Sequence, residues 1–317
     1  MSCEVRSGNF DEARLTPTAR DASERRTPRT DCDGFFFTSN SDDSDLSSGN
    51  GKLYRRGKRI LKAVLQTLKT NMSLGDATDV LVGGGSAGGV ATYLQADYIS
   101  SSIGASKFRA APVSGFFPWV PDYTGSWQFF DVLRSGITYL NATGGLDGNR
   151  CYEATPDPGE AWKCVMSNNT YNSMDTPTFV INSAVDAYAM QNQWRGDQSC
   201  WSTSFGDCSN QQIDDLNGWG EMFLNTLQTT QAYTKDGNGA FIDSCMEHCG
   251  PEAASAFDGY QINGVTLRDA LYKWWTSSSS VPASDNTYLP CALTYTQPHQ
   301  CNPTCSETPL AYRSSQW

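Results

Sequence analysis

The feature that most constrains this chain is a turn. Residues Asp79 to Gly83 (DVLVG) form a short aliphatic run, Gly84-Gly85-Ser86-Ala87-Gly88-Gly89 follows at once, and Val90 to Ile99 then reads as a helix. An apolar, β-branched run bounded by glycines and opening into a helix has the pattern of a central parallel strand. Inside it, Gly84 to Gly88 matches G-x-S-x-G. That pattern holds a serine on strained backbone at the carboxyl edge of a sheet, where the neighbouring strand and helix leave no room for extra Cβ atoms. A purely structural Gly-rich turn is the bland alternative. A phosphate-cradling loop is another, but no Lys-Ser/Thr follows as a P-loop requires. The strand–turn–helix context favours Ser86 as a nucleophile.

Further along, Arg59 to Lys69 places Ile60, Leu61, Val64, Leu65 and Leu68 on one helical face. Short strands are expected at Phe35–Phe37, Arg109–Val113 and Thr178–Asn182, and helices at Gly218–Leu227 and Leu267–Trp275. Strands alternating with helices argue for an α/β fold with a mostly parallel central sheet flanked by helices. Residues 1–30 hold almost no large apolar side chains and read as a disordered leader, with one domain over 31–317. That leader has neither an apolar core nor a small-residue cleavage site, so it is not a signal peptide.

Composition narrows the function. Against 23 Lys and Arg stand 34 Asp and Glu, and a net charge of -11 repels phosphate backbones and anionic headgroups, which disfavours nucleic acid as a partner. No apolar run reaches the length of a membrane helix, so no integral membrane segment is expected. Eleven cysteines point to an oxidising compartment and disulfide-stapled loops, with an odd thiol left over. Three acceptor sequons, at Asn71, Asn141 and Asn168, agree with secretion.

A serine hydroxyl needs a base, and the chain has only two histidines. His248 lies between Cys245 and Cys249, which would hold it rigidly; His299 lies in a Pro-containing irregular tail. The former is the better candidate. The acid should follow a strand end, and the run Thr178 to Asn182 leads through Ser183, Ala184 and Val185 to Asp186. Asp197, Asp207, Asp214 and Asp215 sit in polar stretches and read as solvated, while Asp175 precedes the strand. The order Ser86, Asp186, His248 is that of α/β-hydrolases. In this scheme the Ala87 N–H donates to the oxyanion; no HGGG-like stretch before Ser86 supplies a second donor.

These residues resemble the pectin acetylesterase family, which includes Notum-type carboxylesterases. The resemblance rests on Thr30 to Gly34, Leu53 to Gly57, Gly84 to Asp97, Asn182 to Asp186, Phe241 to Cys249 and Cys301 to Cys305, which occur in family order. It implies an α/β-hydrolase-like fold, no cofactor, a secreted or cell-wall setting, and Ser86, Asp186 and His248 as the triad. Two positions depart from the family pattern. A Gly-Gly-Gly-Trp-Cys segment that completes the oxyanion hole is absent, which implies missing N-terminal strands, and Val113 stands where the family has Asp.

The expectation is therefore a monomeric serine esterase acting on acetyl groups of a pectin-like polysaccharide. A Notum-like lipid-ester hydrolase is the nearest alternative, and a catalytically impaired binder is another. Trp119, Tyr123, Trp127, Trp194 and Trp201 could stack on sugars, although most are expected to serve packing. Cys245, His248, Cys249, Cys301 and Cys305 could gather around zinc, but their spacing does not match a C-x2-C knuckle, and no metal is expected.

Overall fold

The structure, a computed structural model, describes residues 2–7, 27–30, 35–41, 46–48, 51–53, 55–197, 199–200, 208–290, 302 and 304–305. The chain divides into two units. The first holds the described residues up to Gly115 together with Phe130–Thr178; the second holds Phe116–Phe129 and the described residues from Phe179 onward. Most of the segment expected to be a leader, residues 8–26, lies outside the described residues.

In chain order the first unit begins with strands β1 (Ser2–Ser7) and β2 (Thr27–Thr30), paired antiparallel, and a hairpin of β3 (Leu46–Ser48) and β4 (Gly51–Leu53). Helix α1 (Gly57–Asn71) follows and buries Leu61, Leu65 and Leu68, the face that its apolar spacing dictates. Strand β5 (Asp79–Gly85) leads through Ser86 into α2 (Ala87–Ile103), and β6 (Lys107–Val113) returns parallel to β5, Asp79 opposite Lys107 and Gly85 opposite Val113. On its other edge β5 pairs antiparallel with β1. Helices α3 (Gln128–Tyr139), α4 (Arg150–Ala154) and α5 (Ser167–Ser173) complete the unit, and Cys151 is bonded to Cys164. The interior of α2 is buried on nearly all sides from Gly88 to Ala96, as befits a helix without a polar face.

One expectation fails. Phe35 to Phe37 form a turn rather than a strand, because Phe36 and Phe37 both take positive φ, 56° and 58°. Thr38 closes the turn through its N–H and hydroxyl, both donated to the Phe35 carbonyl. Behind it lies a polar anchor. Lys58 is wholly buried, donates from Nζ to Gln95 Oε1 at 2.8 Å and pairs with Asp147 at 3.1 Å, while Gln95 Nε2 donates to the carbonyls of Phe37 and Gly145. Burial pulls the Lys58 ammonium down to about 8 against the opposing pull of Asp147.

The second unit repeats the parallel plan. Strand β7 (Phe179–Ser183) is followed by α6 (Asn210–Gln228), whose start is fixed by a capping box between Ser209 and Gln212. Strand β8 (Gly239–Asp243) lies parallel to β7, with Ser183 opposite Asp243. Then come α7 (Ala254–Gly259), a small hairpin of β9 (Gln261–Ile262) and β10 (Val265–Thr266), α8 (Leu267–Thr276), and β11 (Thr287–Tyr288), which is parallel to β8. Helix α8 buries Leu267, Ala270, Leu271, Trp274 and Trp275, and the Trp274 indole donates to the Gly237 carbonyl at 2.8 Å. Disulfides join Cys200 to Cys208 and Cys245 to Cys305. The α/β class with parallel strands, flanking helices and stapled loops is thus present. No helix among the described residues is long and apolar enough to cross a membrane.

Close approach of backbone at the end of β6 fixes how α2 docks. A Cβ on Gly115 would lie 2.5 Å from the Gly89 carbonyl carbon, and one on Gly89 would lie 2.7 Å from the Val113 oxygen. Neither atom can yield without moving a main chain. Gly115→Ala is therefore expected to lower stability by ~1–3 kcal/mol, the range for overpacking a tight interior, read as a reduced urea midpoint. An unchanged midpoint would show that the helix can slide away at no cost.

Candidate active site

Ser86 is the hinge between β5 and α2. Its backbone stands at φ 55° and ψ -119°, a conformation that side chains rarely adopt. Two hydrogen bonds hold it there. The Ser86 N–H donates to the Val113 carbonyl at 2.9 Å, and the Ser86 carbonyl accepts from the Val90 N–H at 3.0 Å, the first bond of the helix. Glycine at position 84 is required, since a Cβ there would fall 2.8 Å from the Gly88 carbonyl carbon. Ala87 opens the helix, so its N–H belongs to the first turn, whose donors have no acceptor within the helix and sit at its positive end. Val113, where an acid would have matched the family pattern, contributes its carbonyl to this turn instead.

Asp186 and His248 meet in the second unit. After β7 the chain turns on a bond from the Ala184 N–H to the Asp243 carbonyl at 2.8 Å, which sets Asp186 just beyond the strand end. The His248 Nδ1 lies 2.9 Å from both carboxylate oxygens of Asp186, and Oδ1 also accepts the Ala189 N–H at 3.0 Å. With Nδ1–H donated to the carboxylate, Nε2 carries the lone pair that a general base needs. Burial alone would depress the imidazole, but the charge and hydrogen bond of Asp186 outweigh it, and the pKa of His248 is raised above its ordinary value. Tyr188 stacks on the imidazole with ring centroids 5.1 Å apart.

The loop bearing His248 is fastened from the tail. Cys245 is bonded to Cys305, and Asn302 accepts from both the N–H and the hydroxyl of Ser244 while donating to the Gln261 carbonyl. Cys245 and Cys305 are thereby consumed by each other, which removes them from the zinc arrangement; Cys301 and His299 lie outside the described residues.

Two further carboxyls stand beside this pair, and sequence reasoning passed over both. Asp243 ends β8 and is buried, accepting the Cys245 N–H at 2.9 Å; burial pushes it up to about 8. Glu247 precedes His248 and is also buried; burial, then the neighbouring Asp186 charge, raise it to about 7. The only signal in the sequence was their place within the segment DSCMEHC. Tyr188 had no signal at all. Of the acids set aside as solvated, Asp197 is exposed and accepts from Ser199 and Asp215 is exposed and accepts from Gln211; Asp175, set aside because it precedes the strand, pairs with Arg150 on the surface. Asp207 lies outside the described residues.

Comparison with known proteins sets this geometry in a family. The pectinacetylesterase profile matches residues 30–305. Pectin acetylesterase 11 of Arabidopsis thaliana is 26% identical over 285 residues, covering 86% of this chain and 68% of that protein. The palmitoleoyl-protein carboxylesterase NOTUM of Homo sapiens is 25% identical over 267 residues, covering 78% of this chain and 50% of that one. Among solved structures, the Wnt deacylase Notum from Drosophila superposes with a TM-score of 0.66 at 20% identity, over 95% of this chain and 79% of its own, a likeness of fold. The chain therefore belongs to the pectinacetylesterase family, a family of carboxylic ester hydrolases.

Proposed function

We propose that this chain is a serine carboxylesterase that removes acetyl groups from a pectin-like cell-wall polysaccharide, with Ser86, Asp186 and His248 as its triad. The observation that carries the reading is the clasp of His248 Nδ1 by both oxygens of Asp186 at 2.9 Å. Ser86, presented on its elbow, is the nucleophile. His248 Nε2 takes the hydroxyl proton as Oγ attacks the ester carbonyl, Asp186 stabilises the imidazolium, and the Ala87 N–H donates to the oxyanion. The imidazolium then gives its proton to the departing sugar hydroxyl. Water attacks the acyl-enzyme by the same route, releasing acetate.

A polysaccharide substrate is supported by one loop. Asp122 Oδ1 accepts from the Thr124 N–H, the Thr124 hydroxyl and the Ser126 N–H, and the Tyr123 N–H donates to the Trp194 carbonyl at 3.0 Å. This rigid turn displays Tyr123, 62% exposed, and Trp127, 42% exposed, with Trp119 edge-on to Trp127 at 5.9 Å. Rings held outward at low entropic cost suit the apolar faces of sugars. Of the other aromatics considered for stacking, Trp194 is buried and serves packing, and Trp201 lies outside the described residues.

Three variants test the reading. Ser86→Ala is expected to abolish hydrolysis of p-nitrophenyl acetate with an unchanged melting temperature; retained turnover would remove Ser86 from the mechanism. Asp186→Asn should lower kcat by ~10⁴, the cost of presenting the wrong imidazole tautomer. Trp127→Ala should raise KM several-fold on acetylated pectin while leaving p-nitrophenyl acetate kinetics alone. Faster release of long acyl groups than of acetate would favour a lipid-ester substrate instead.

A further inference from the structure

Glu247 is anomalous for a loop residue beside a charged pair. It is buried, and its Oε1 has no hydrogen-bond partner among the described residues. A carboxyl so placed costs free energy whenever it ionises, and polar groups are retained in such positions when they do something. Its position is set tightly. The Glu247 N–H donates to the Cys245 carbonyl at 2.8 Å and its own carbonyl accepts the Ala187 N–H at 3.4 Å, which ties it to the residue next to Asp186. The side chain folds over Gly250, where a Cβ would come within 2.2 Å of the Glu247 carboxyl carbon. Cys249, at φ 58°, makes that fold possible, and the Cys245–Cys305 bond closes the base of the loop.

We propose that Glu247 is a positioning residue of the Asp186–His248 pair, a second carboxyl whose gain and loss of charge sets the basicity of the imidazole. The inference rests on the triad reading above. The groups around it are few. Asp186 comes from the turn after β7 and Asp243 from the end of β8; His248 and Tyr188 form the stacked pair, and Glu252, in the short helical turn after Cys249, adds its charge at His248. Burial first and the Asp186 charge second hold the proton on Glu247 until about pH 7. Below that pH the loop adds no charge to the pair. Above it, Glu247 becomes a second anion beside Asp186, and the imidazolium that must form in the transition state is further stabilised. Activity thus responds to the ionisation of Glu247 as well as that of His248, and the two titrate as a coupled set with Asp243, which holds its own proton to about 8.

Linkage gives a second consequence. A carboxyl whose folded pKa lies above its unfolded value contributes stability that is fully present below the unfolded value, about 4.5, and is lost as pH rises through about 7. Glu247→Gln should remove that loss.

The test uses ¹³C-histidine NMR on the full chain. With only two histidines present, His299→Asn identifies the His248 signal. In the wild type the His248 titration is expected to depart from a single-site curve, with a second inflection near pH 7. In Glu247→Gln the inflection near pH 7 should disappear and the midpoint fall by ~0.5 unit or more, and the pH profile of kcat/KM for p-nitrophenyl acetate should lose one ionisation. A single-site wild-type curve, or identical curves in both proteins, overturns the proposal, and the wild-type measurement does so even if the variant fails to fold. Activity surviving in Ser86→Ala would overturn the triad reading alone, because the His248 titration does not depend on turnover.

Discussion

The backbone of Ser86 is the constraint on which the first unit turns. Holding a residue with a Cβ at φ 55° and ψ -119° costs of order 1–3 kcal/mol, and such strain persists only where surrounding structure over-determines it. Here it is over-determined three times. Parallel pairing carries β5 up to Gly85, the Val113 carbonyl takes the Ser86 N–H, and α2 is pressed against the chain leaving β6 so closely that Gly89 and Gly115 leave no space for side chains. The Gly-rich composition of the turn is therefore a steric consequence of docking a helix backbone onto a strand end. Relaxing the serine would require breaking the register of β5 with β6.

The second unit is governed by a different force, the cost of burying charge. Asp186 is almost inaccessible, and the imidazole and the Ala189 N–H replace the water that it gives up. At Asp243 burial outweighs the bond from the Cys245 N–H, and Glu247 Oε1 has no partner among the described residues, so both hold their protons to higher pH. Solvent exclusion raises the two carboxyls, and the tail fastens the loop that carries Glu247: Asn302 is wholly buried against Ser244, and Cys305 anchors Cys245. The disulfide thus does more than stiffen a loop. It joins the loop before His248 to the tail, packed with Ala256 and Tyr260.

Legibility in the sequence followed how local each cause was. The elbow could be read because its glycines are required by neighbours only a few residues away, and α1 and α8 could be read because their buried faces repeat at helical spacing. Phe35–Phe37 misled because apolar content does not reveal φ; the two buried rings, Phe35 and Phe37, are held by a turn, and Gln95 far along the chain caps its carbonyl. Asp186 was legible as an acid after a strand. Glu247 was not, because its burial depends on tertiary packing, its carbonyl meeting the Ala187 N–H some sixty residues earlier in the chain, and nothing within its own segment distinguishes it from a solvated loop acid.

That distinction bears on the charge of the whole molecule. The formal value of -11 counts every carboxyl as ionised, and on that count the protein should repel an anionic polymer. Asp243 at about 8 and Glu247 at about 7 hold protons across much of the neutral range, so the region around His248 is less negative than the composition implies. The two protonated carboxyls add nothing to the repulsion of an anionic molecule approaching there. Under the function proposed above, two effects oppose each other as pH rises: ionisation of Glu247 would strengthen His248 as a base while making the approach of an anionic substrate less favourable. A neutral ester feels only the first effect, so polymer and small-molecule substrates should diverge on the alkaline side, and the burial of a single glutamate decides where that divergence begins.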